Sequence, residues 1–210
     1  MTKIGIIGSG DLGQLIAYHA VHSCSMQVAG FFDDYKESGQ IVNGIPVIGK
    51  LADVRRAHEK GIFDVCMLGV GYKHMDERER IFEELHAFLP FGKVIHPSCI
   101  IDNSVLIGEG AFLLPGCVLD KGVKLGKNVL LNTACVIAHD TEVADHSFLS
   151  PAVKIAGFTK VGRKCVIGIS TTIIDNIRVA DEVRTGGGTV VIKNIEQAGL
   201  YVGNPARFVK

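Results

Sequence analysis

The sequence predicts two domains of different class: an α/β domain with a small Rossmann-like parallel sheet over residues 1–93, then a parallel β-helix over residues 94–210. Three observations predict it. Strand and helix patterns alternate before Ile95, a six-residue aliphatic period runs without insertion after it, and Pro90 and Gly92 stop the last helical pattern in between.

In the first domain, Lys3–Gly8 reads as a short apolar strand, Asp11–His22 as a helix and Gln27–Asp33 as a second strand. Leu51–Lys60 is helical by composition, Asp64–Gly71 is a third strand, and His74–Leu89 has the charge-laced pattern of an amphipathic helix. Parallel neighbours need long crossovers, so strands separated by helices predict a parallel sheet. Gly8-Ser9-Gly10-Asp11-Leu12-Gly13 follows the first strand and opens the first helix. Such a G-x-G-x-x-G loop can offer backbone N–H groups and a helix N-terminus to a phosphate. Asp33 and Asp34 end the second strand about 20 residues later, where a carboxylate can meet a ribose hydroxyl. Gly8, Gly10, Asp33 and Asp34 are therefore candidate contacts to the nucleotide part of a substrate, although a tight turn with solvated aspartates uses the same residues. A domain this small is half of a two-lobed dinucleotide fold, which argues against hydride transfer.

In the second domain the aliphatic series steps by six: Ile95, Ile101, Ile107, Leu113, Leu119, Leu125, Leu131, Ile137, Val143 and onward to Val191, broken only by Thr185. Four places after each of these stands a second, usually small residue, such as Cys99, Ala111, Cys117, Cys135, Thr141 or Ser147. Both sets are expected to point inward. The place directly after the aliphatic residue is often Gly, Asn or Asp, as at Asp102, Gly108, Asp120, Gly126, Asn132 and Gly162, which predicts a left-handed backbone there. Each unit is then one strand and one corner, and three units close a coil of 18 residues. Successive coils stack at roughly 4.8 Å.

Composition excludes several functions. Lysine plus arginine equals aspartate plus glutamate, 22 against 22, so no basic footprint for nucleic acid or an anionic membrane is present. No secretory leader or membrane span is legible, and a cytoplasmic location is expected. Of six cysteines, Cys99, Cys117, Cys135 and Cys165 occupy the small inward place of the repeat and there is no C-x-x-C pair, so they read as core fillers in a reducing compartment.

His139-Asp140 is the catalytic candidate. His139 lies two places past the inward Ile137, so its ring should face outward, and the adjacent carboxylate can hold a tautomer or stabilise the imidazolium of a general base. Gly157 is 18 residues later, hence on the next coil. A glycine there would leave room for a thin substrate arm, and its N–H could donate to a thioester oxygen as charge develops. Asn132, one unit earlier, could orient an acceptor or simply serve a left-handed corner. His146 hints at a metal, but no third ligand stands at a matching interval, so no metal is expected. A cysteine nucleophile is disfavoured, because the repeat buries four of the six.

Together these residues, with Ile95-His96-Pro97-Ser98 and the closing Gly203-Asn204-Pro205-Ala206, resemble the bacterial hexapeptide-repeat sugar acyltransferases, the sialic acid O-acetyltransferase and UDP-4-amino-sugar N-acetyltransferase type. The resemblance covers essentially the whole chain. It implies a left-handed β-helix, a homotrimer, acetyl-CoA as co-substrate, and acetyl transfer to a sugar or nucleotide sugar in surface glycan synthesis. His139 would be the base, Asp140 its support, Gly157 the thioester contact and Asn132 a pocket residue. The amino-sugar enzymes carry a second histidine where this chain has Phe148 and tend to carry one in the glycine loop where Leu12 stands. Nitrogen and oxygen acceptors are therefore both open, and a non-catalytic nucleotide-binding scaffold is the alternative of another class.

Overall fold

A strand of a parallel sheet covered on both faces must be apolar on both, and β1 (Lys3–Ile7) buries four consecutive residues, Ile4 to Ile7. In the computed structural model, which describes residues 1–210 and falls into units Met1–Val94 and Ile95–Lys210, β1 runs between and parallel to β2 (Gln27–Phe32) and a strand at Val65–Leu68. Between those two in sequence lie β3 (Ile41–Val42) and β4 (Ile45–Gly49), so the last strand is β5, and the sheet order is β3-β4-β2-β1-β5. Helix α1 (Asp11–His22) buries Ile16, Ala17 and Ala20, while α3 (Met75–His86) buries Ile81, Phe82 and Leu85; the short α2 spans Val54–Glu59. Ile7, Phe32, Phe63, Leu68, Phe82 and Phe91 share one core.

The β3–β4 hairpin corrects the sequence reading, which has no strand between Asp33 and Leu51. Asn43 and Gly44 turn it with φ of 46° and 78°, both positive as a tight two-residue hairpin requires. The apolar runs on either side are too short and too interrupted by Pro46 to stand out by period.

The second unit is a left-handed parallel β-helix. Its two-residue strands form three sheets, here called faces A, B and C. Face A has six strands, from Ile100–Ile101 to Val190–Val191. Face B has five, from Leu106–Ile107 to Arg178–Val179. Face C has eight and ends in the antiparallel pair Gly199–Val202 and Arg207–Phe208. Registers pair residues one coil apart, as in Leu119↔Ile137, Leu125↔Val143 and Leu131↔Leu149. The inward aliphatics form one continuous core from Leu113 to Val191. Thr185, the break in that series, is buried without loss because its hydroxyl accepts the Gly168 N–H at 2.8 Å and bonds Thr171 Oγ1 at 2.8 Å.

The small inward residues do more than fill space. Where they are Cys, Ser or Thr, those up to Thr171 donate to a carbonyl 15 residues ahead, such as Cys117 Sγ to Asn132 at 3.2 Å, Thr141 Oγ1 to Ala156 at 3.1 Å, Ser147 Oγ to Gly162 at 2.8 Å and Thr159 Oγ1 to Ile174 at 3.0 Å, while Thr189 turns back to Gly186 at 2.8 Å. Burial pushes the Cys165 thiol up to about 12, so that sulfur stays a protonated donor.

The corner was expected one place after the aliphatic residue, and the backbone puts it two places further on. Positive φ recurs at Asn128, Ala134, Asp140, His146, Ala152, Phe158, Lys164, Ser170, Asn176 and Glu182, and at Gly110, Gly116 and Gly122. The glycines at the earlier place answer to crowding. A Cβ at Gly126 would lie 2.2 Å from Asp145 Oδ1, and one at Gly162 would lie 2.4 Å from Asp181 Oδ1. Asn132 has the same place but no positive φ, so left-handed preference does not explain it. No helix is long and apolar enough to cross a membrane.

Candidate active site

In the N-terminal unit the glycine loop is held from below. Gly8 has φ +88°, and a Cβ on Gly13 would lie 2.0 Å from the Gly8 carbonyl oxygen, so only glycine lets α1 start this close to the end of β1. Gly10 caps α1 with extended backbone and no side-chain cap, and nothing lies within 4 Å of its missing Cβ. The first-turn N–H groups therefore have no side-chain cap, the arrangement that favours an anion.

Asp33 ties this loop to β2. Its Oδ2 accepts the Ser9 N–H at 2.9 Å and the Ser9 hydroxyl at 2.5 Å, and its Oδ1 accepts the Tyr35 N–H at 2.9 Å. Lys36 Nζ donates to Ser9 Oγ at 2.7 Å and lies 3.8 Å from Asp33 Oδ2. Burial pushes the Asp33 carboxyl up, but the Ser9 hydroxyl, the Ser9 and Tyr35 amides and Lys36 outweigh it and hold it below the usual carboxylate range. Asp33 is thus a brace of the loop, with little surface of its own, whereas Asp34 is exposed and its Oδ1 accepts the Leu51 N–H at 2.8 Å. Behind β5, the fully buried Arg78 donates to the carbonyls of Leu68 at 3.2 Å and Val70 at 2.8 Å, and burial draws its guanidinium down to about 10. Ser9, Lys36 and Arg78 escape sequence reading because their partners are 27, 24 or 10 residues away and carry no motif.

On the β-helix, His139 stands at the corner between faces A and B, and Asp140 is the left-handed residue of that corner, with φ 57°. Half of each side chain is exposed. His139 Nδ1 lies 3.1 Å from Asp140 Oδ2. A carboxylate can only accept, so in the neutral imidazole the proton sits on Nδ1 and the lone pair on Nε2. The imidazole lies directly over Gly157: a Cβ there would be 2.7 Å from Cε1 and 2.9 Å from Nε2. The glycine therefore makes room for the histidine itself, where sequence reading reserved the space for a substrate arm. Gly157 is buried, and its N–H donates to no acceptor in the chain. Phe158 meets the imidazole at right angles, ring centroids 5.0 Å apart.

Asn132 is not part of this cluster. It follows face C, one side of the triangular coil away from His139, and its Oδ1 accepts the Thr133 N–H at 2.8 Å. His146 is buried at the next corner, bonded through Nδ1 to Asn128 Nδ2 at 3.1 Å, and Phe148 is buried on face C. Beside the His139 corner, the outer surface of face B forms a groove of about 590 Å³. Glu142 there pairs with Lys124 at 3.3 Å and Lys160 at 3.4 Å, with Arg178 one coil further on.

Glycine loop and coil define the class, a protein of two units with a parallel α/β sheet followed by a hexapeptide-repeat β-helix. Comparison with known proteins carries this further. Residues 3–85 match the family described as the PglD N-terminal domain. Among solved structures, the acetyltransferase domain of PglB from Neisseria gonorrhoeae superposes with a TM-score of 0.89 at 27% identity, covering 100% of both chains. WeeI from Acinetobacter baumannii gives 0.83 at 25% identity, covering 99% of this chain and 100% of its own. PerB from Caulobacter crescentus, solved with CoA and GDP-perosamine, gives 0.91 at 24% identity over 100% of this chain and 98% of that one, a likeness of fold. No curated protein sequence matches the chain. Over its whole length the chain is similar to solved sugar acetyltransferases with a hexapeptide-repeat β-helix, and its first 85 residues carry the PglD N-terminal domain match.

Proposed function

We propose that the protein transfers an acetyl group from acetyl-CoA to the amino group of a nucleotide-linked amino sugar, at its 4-amino position, in surface glycan synthesis. The observation that carries this reading is the His139 imidazole, fixed over Gly157 with Nδ1 toward Asp140 and Nε2 free. Likeness to the PglB acetyltransferase domain, whose structure has also been solved with acetyl-CoA, supports the co-substrate. PerB, solved with CoA and GDP-perosamine, supports a nucleotide-linked amino sugar as acceptor class.

In this reading the N-terminal domain, residues 1–93, holds the nucleotide at Gly8, Gly10 and Asp34, with Asp33 contributing through the lone pair left on Oδ1. The β-helix, residues 94–210, carries out the transfer. The amine nitrogen attacks the thioester carbonyl carbon while His139 Nε2 takes its proton. The Gly157 N–H faces the developing oxyanion, and the C–S bond then breaks to release CoA as thiolate, which recovers the proton. No acyl-enzyme is involved. Asp140 supports the imidazolium. Asn132 lies on another corner of the same coil, so its pocket role is proposed across a neighbouring subunit of a homotrimer around the β-helix axis. Acetyl-CoA and nucleotide sugars are cytoplasmic metabolites, and the protein is assigned there.

The test is thiol release from acetyl-CoA in the presence of UDP-, GDP- and dTDP-linked 4-amino sugars and free sialic acids. Release with an amino sugar, reduced on the order of 10²-fold or more in His139→Ala, is expected. Release only with a sialic acid would replace nitrogen by oxygen as the acceptor, and unchanged turnover in His139→Ala would remove the base.

A further inference from the structure

Phe158 is the one large apolar side chain among the left-handed residues of the β-helix. Its column of corners holds Gly122, Asp140 and Asn176 one or two coils away, residues suited to positive φ, whereas Phe158 sits there with φ 57°. It is also 55% exposed, so burial does not account for its presence. A bulky residue at a left-handed corner and only half covered calls for a reason beyond packing.

What it touches indicates the constraint. The Phe158 ring stands perpendicular to the His139 imidazole, centroids 5.0 Å apart at 85°, and its N–H donates to the His139 carbonyl at 3.1 Å. Edge-to-face contact at this distance is attractive and directional. Gly157 lies beneath the imidazole and Asp140 holds Nδ1, so Phe158 closes a further side. Without it, a histidine whose side chain is half exposed would be kept over the glycine against rotation about χ1 and χ2 only by its bond to Asp140.

We infer that Phe158 is a positioning residue: its ring confines the His139 imidazole over Gly157 so that Nε2 points at the acceptor. The inference rests on the reading of His139 as the base. Strain in the corner is tolerated because the same backbone that holds Phe158 left-handed brings its ring to the imidazole.

Two variants test it with acetyl-CoA and whichever amino sugar supports thiol release. Phe158→Asn suits the left-handed corner and removes the ring; Phe158→Tyr keeps the ring. In Phe158→Asn the melting temperature should hold or rise while kcat falls about tenfold or more, as a misplaced catalytic group predicts. KM for acetyl-CoA should stay within about twofold, the signature of an interaction made by the reacting group and not by substrate binding. Phe158→Tyr should retain kcat. The His139 Cε1–H resonance should move in the Asn variant, through loss of the ring current, and stay in the Tyr variant.

Normal kcat in Phe158→Asn alongside an inactive His139→Ala would overturn the inference and leave the base in place. A raised KM with unchanged kcat would make Phe158 a substrate contact, and a lowered melting temperature with equal loss in both variants would make it scaffold. Unchanged turnover in His139→Ala, or no thiol release with any acceptor, would overturn the reading and the inference together.

Discussion

The two units solve the placement of a functional group in opposite ways. In the N-terminal unit the glycine loop is held by contacts that occur once each: Gly13 against the Gly8 carbonyl, Asp33 on Ser9, Lys36 on Ser9, Gln14 on the Ser9 carbonyl at 2.9 Å. In the β-helix the His139 corner is held by contacts that recur every coil, and only Asp140, Gly157 and Phe158 are particular to it. A site built from single-use contacts is sensitive at many positions; a site on a repeat is sensitive where it departs from the repeat.

That contrast can be broken most severely at Gly13. Gly13→Ala puts a Cβ 2.0 Å from backbone and should cost about 3 kcal/mol or more, at the upper end for overpacking, seen as lost hydrogen-exchange protection in β1 and β2 only. Gly10→Ala, with open space around it, is the control that should leave protection unchanged. Asp33 gives an intermediate effect with a defined sign. Its folded carboxyl titrates below the unfolded value of about 3.9, so its contribution is complete above that pH and is lost as the pH falls through the folded value. Protection of the N-terminal sheet should therefore fall with acid more steeply in the wild type than in Asp33→Asn, while the β-helix amides show no such difference. Equal acid slopes would remove Asp33 as the brace. The smallest effect belongs to the repeat: Thr159→Val loses one buried hydrogen bond to the Ile174 carbonyl and should cost about 1 kcal/mol in urea unfolding of the β-helix. Valine already fills the equivalent place at Val123, Val129 and Val153, so a much larger loss would mean the column is not interchangeable.

The same contrast governs what could be read from the sequence. The β-helix was legible because one backbone geometry imposes one period on side-chain chemistry, and arithmetic modulo that period put His139 and Gly157 on adjacent coils. It misled in one respect. Glycine and asparagine were frequent directly after the aliphatic residue, yet the left-handed turn falls later, at places held here by Ala134, His146, Phe158 and Lys164. Crowding between coils, which composition does not distinguish from backbone twist, produced those glycines. The Phe158–His139 contact was hidden for the same reason, since its significance lies in a φ value. In the N-terminal unit the glycine loop and helix start were legible from local spacing, while Asp33 as a brace, the Lys36–Ser9 bond and buried Arg78 depend on chain segments that only folding brings together. Asn43-Gly44 carried a local hairpin signal that the weak strands around it concealed.

The column of Cys, Ser and Thr donors has a direction. Cys99 reaches Leu114, Cys117 reaches Asn132, Cys135 reaches Ser150, Thr159 reaches Ile174, Cys165 reaches Ala180 and Thr171 reaches Gly186, each toward a residue later in the chain, and Thr189 in the last coil turns back to Gly186. During synthesis each coil therefore leaves the ribosome with its inner donors unanswered, and the acceptors arrive only with the coil translated next. The growing end is the unsatisfied end, so the interior is completed in the order in which the chain is made.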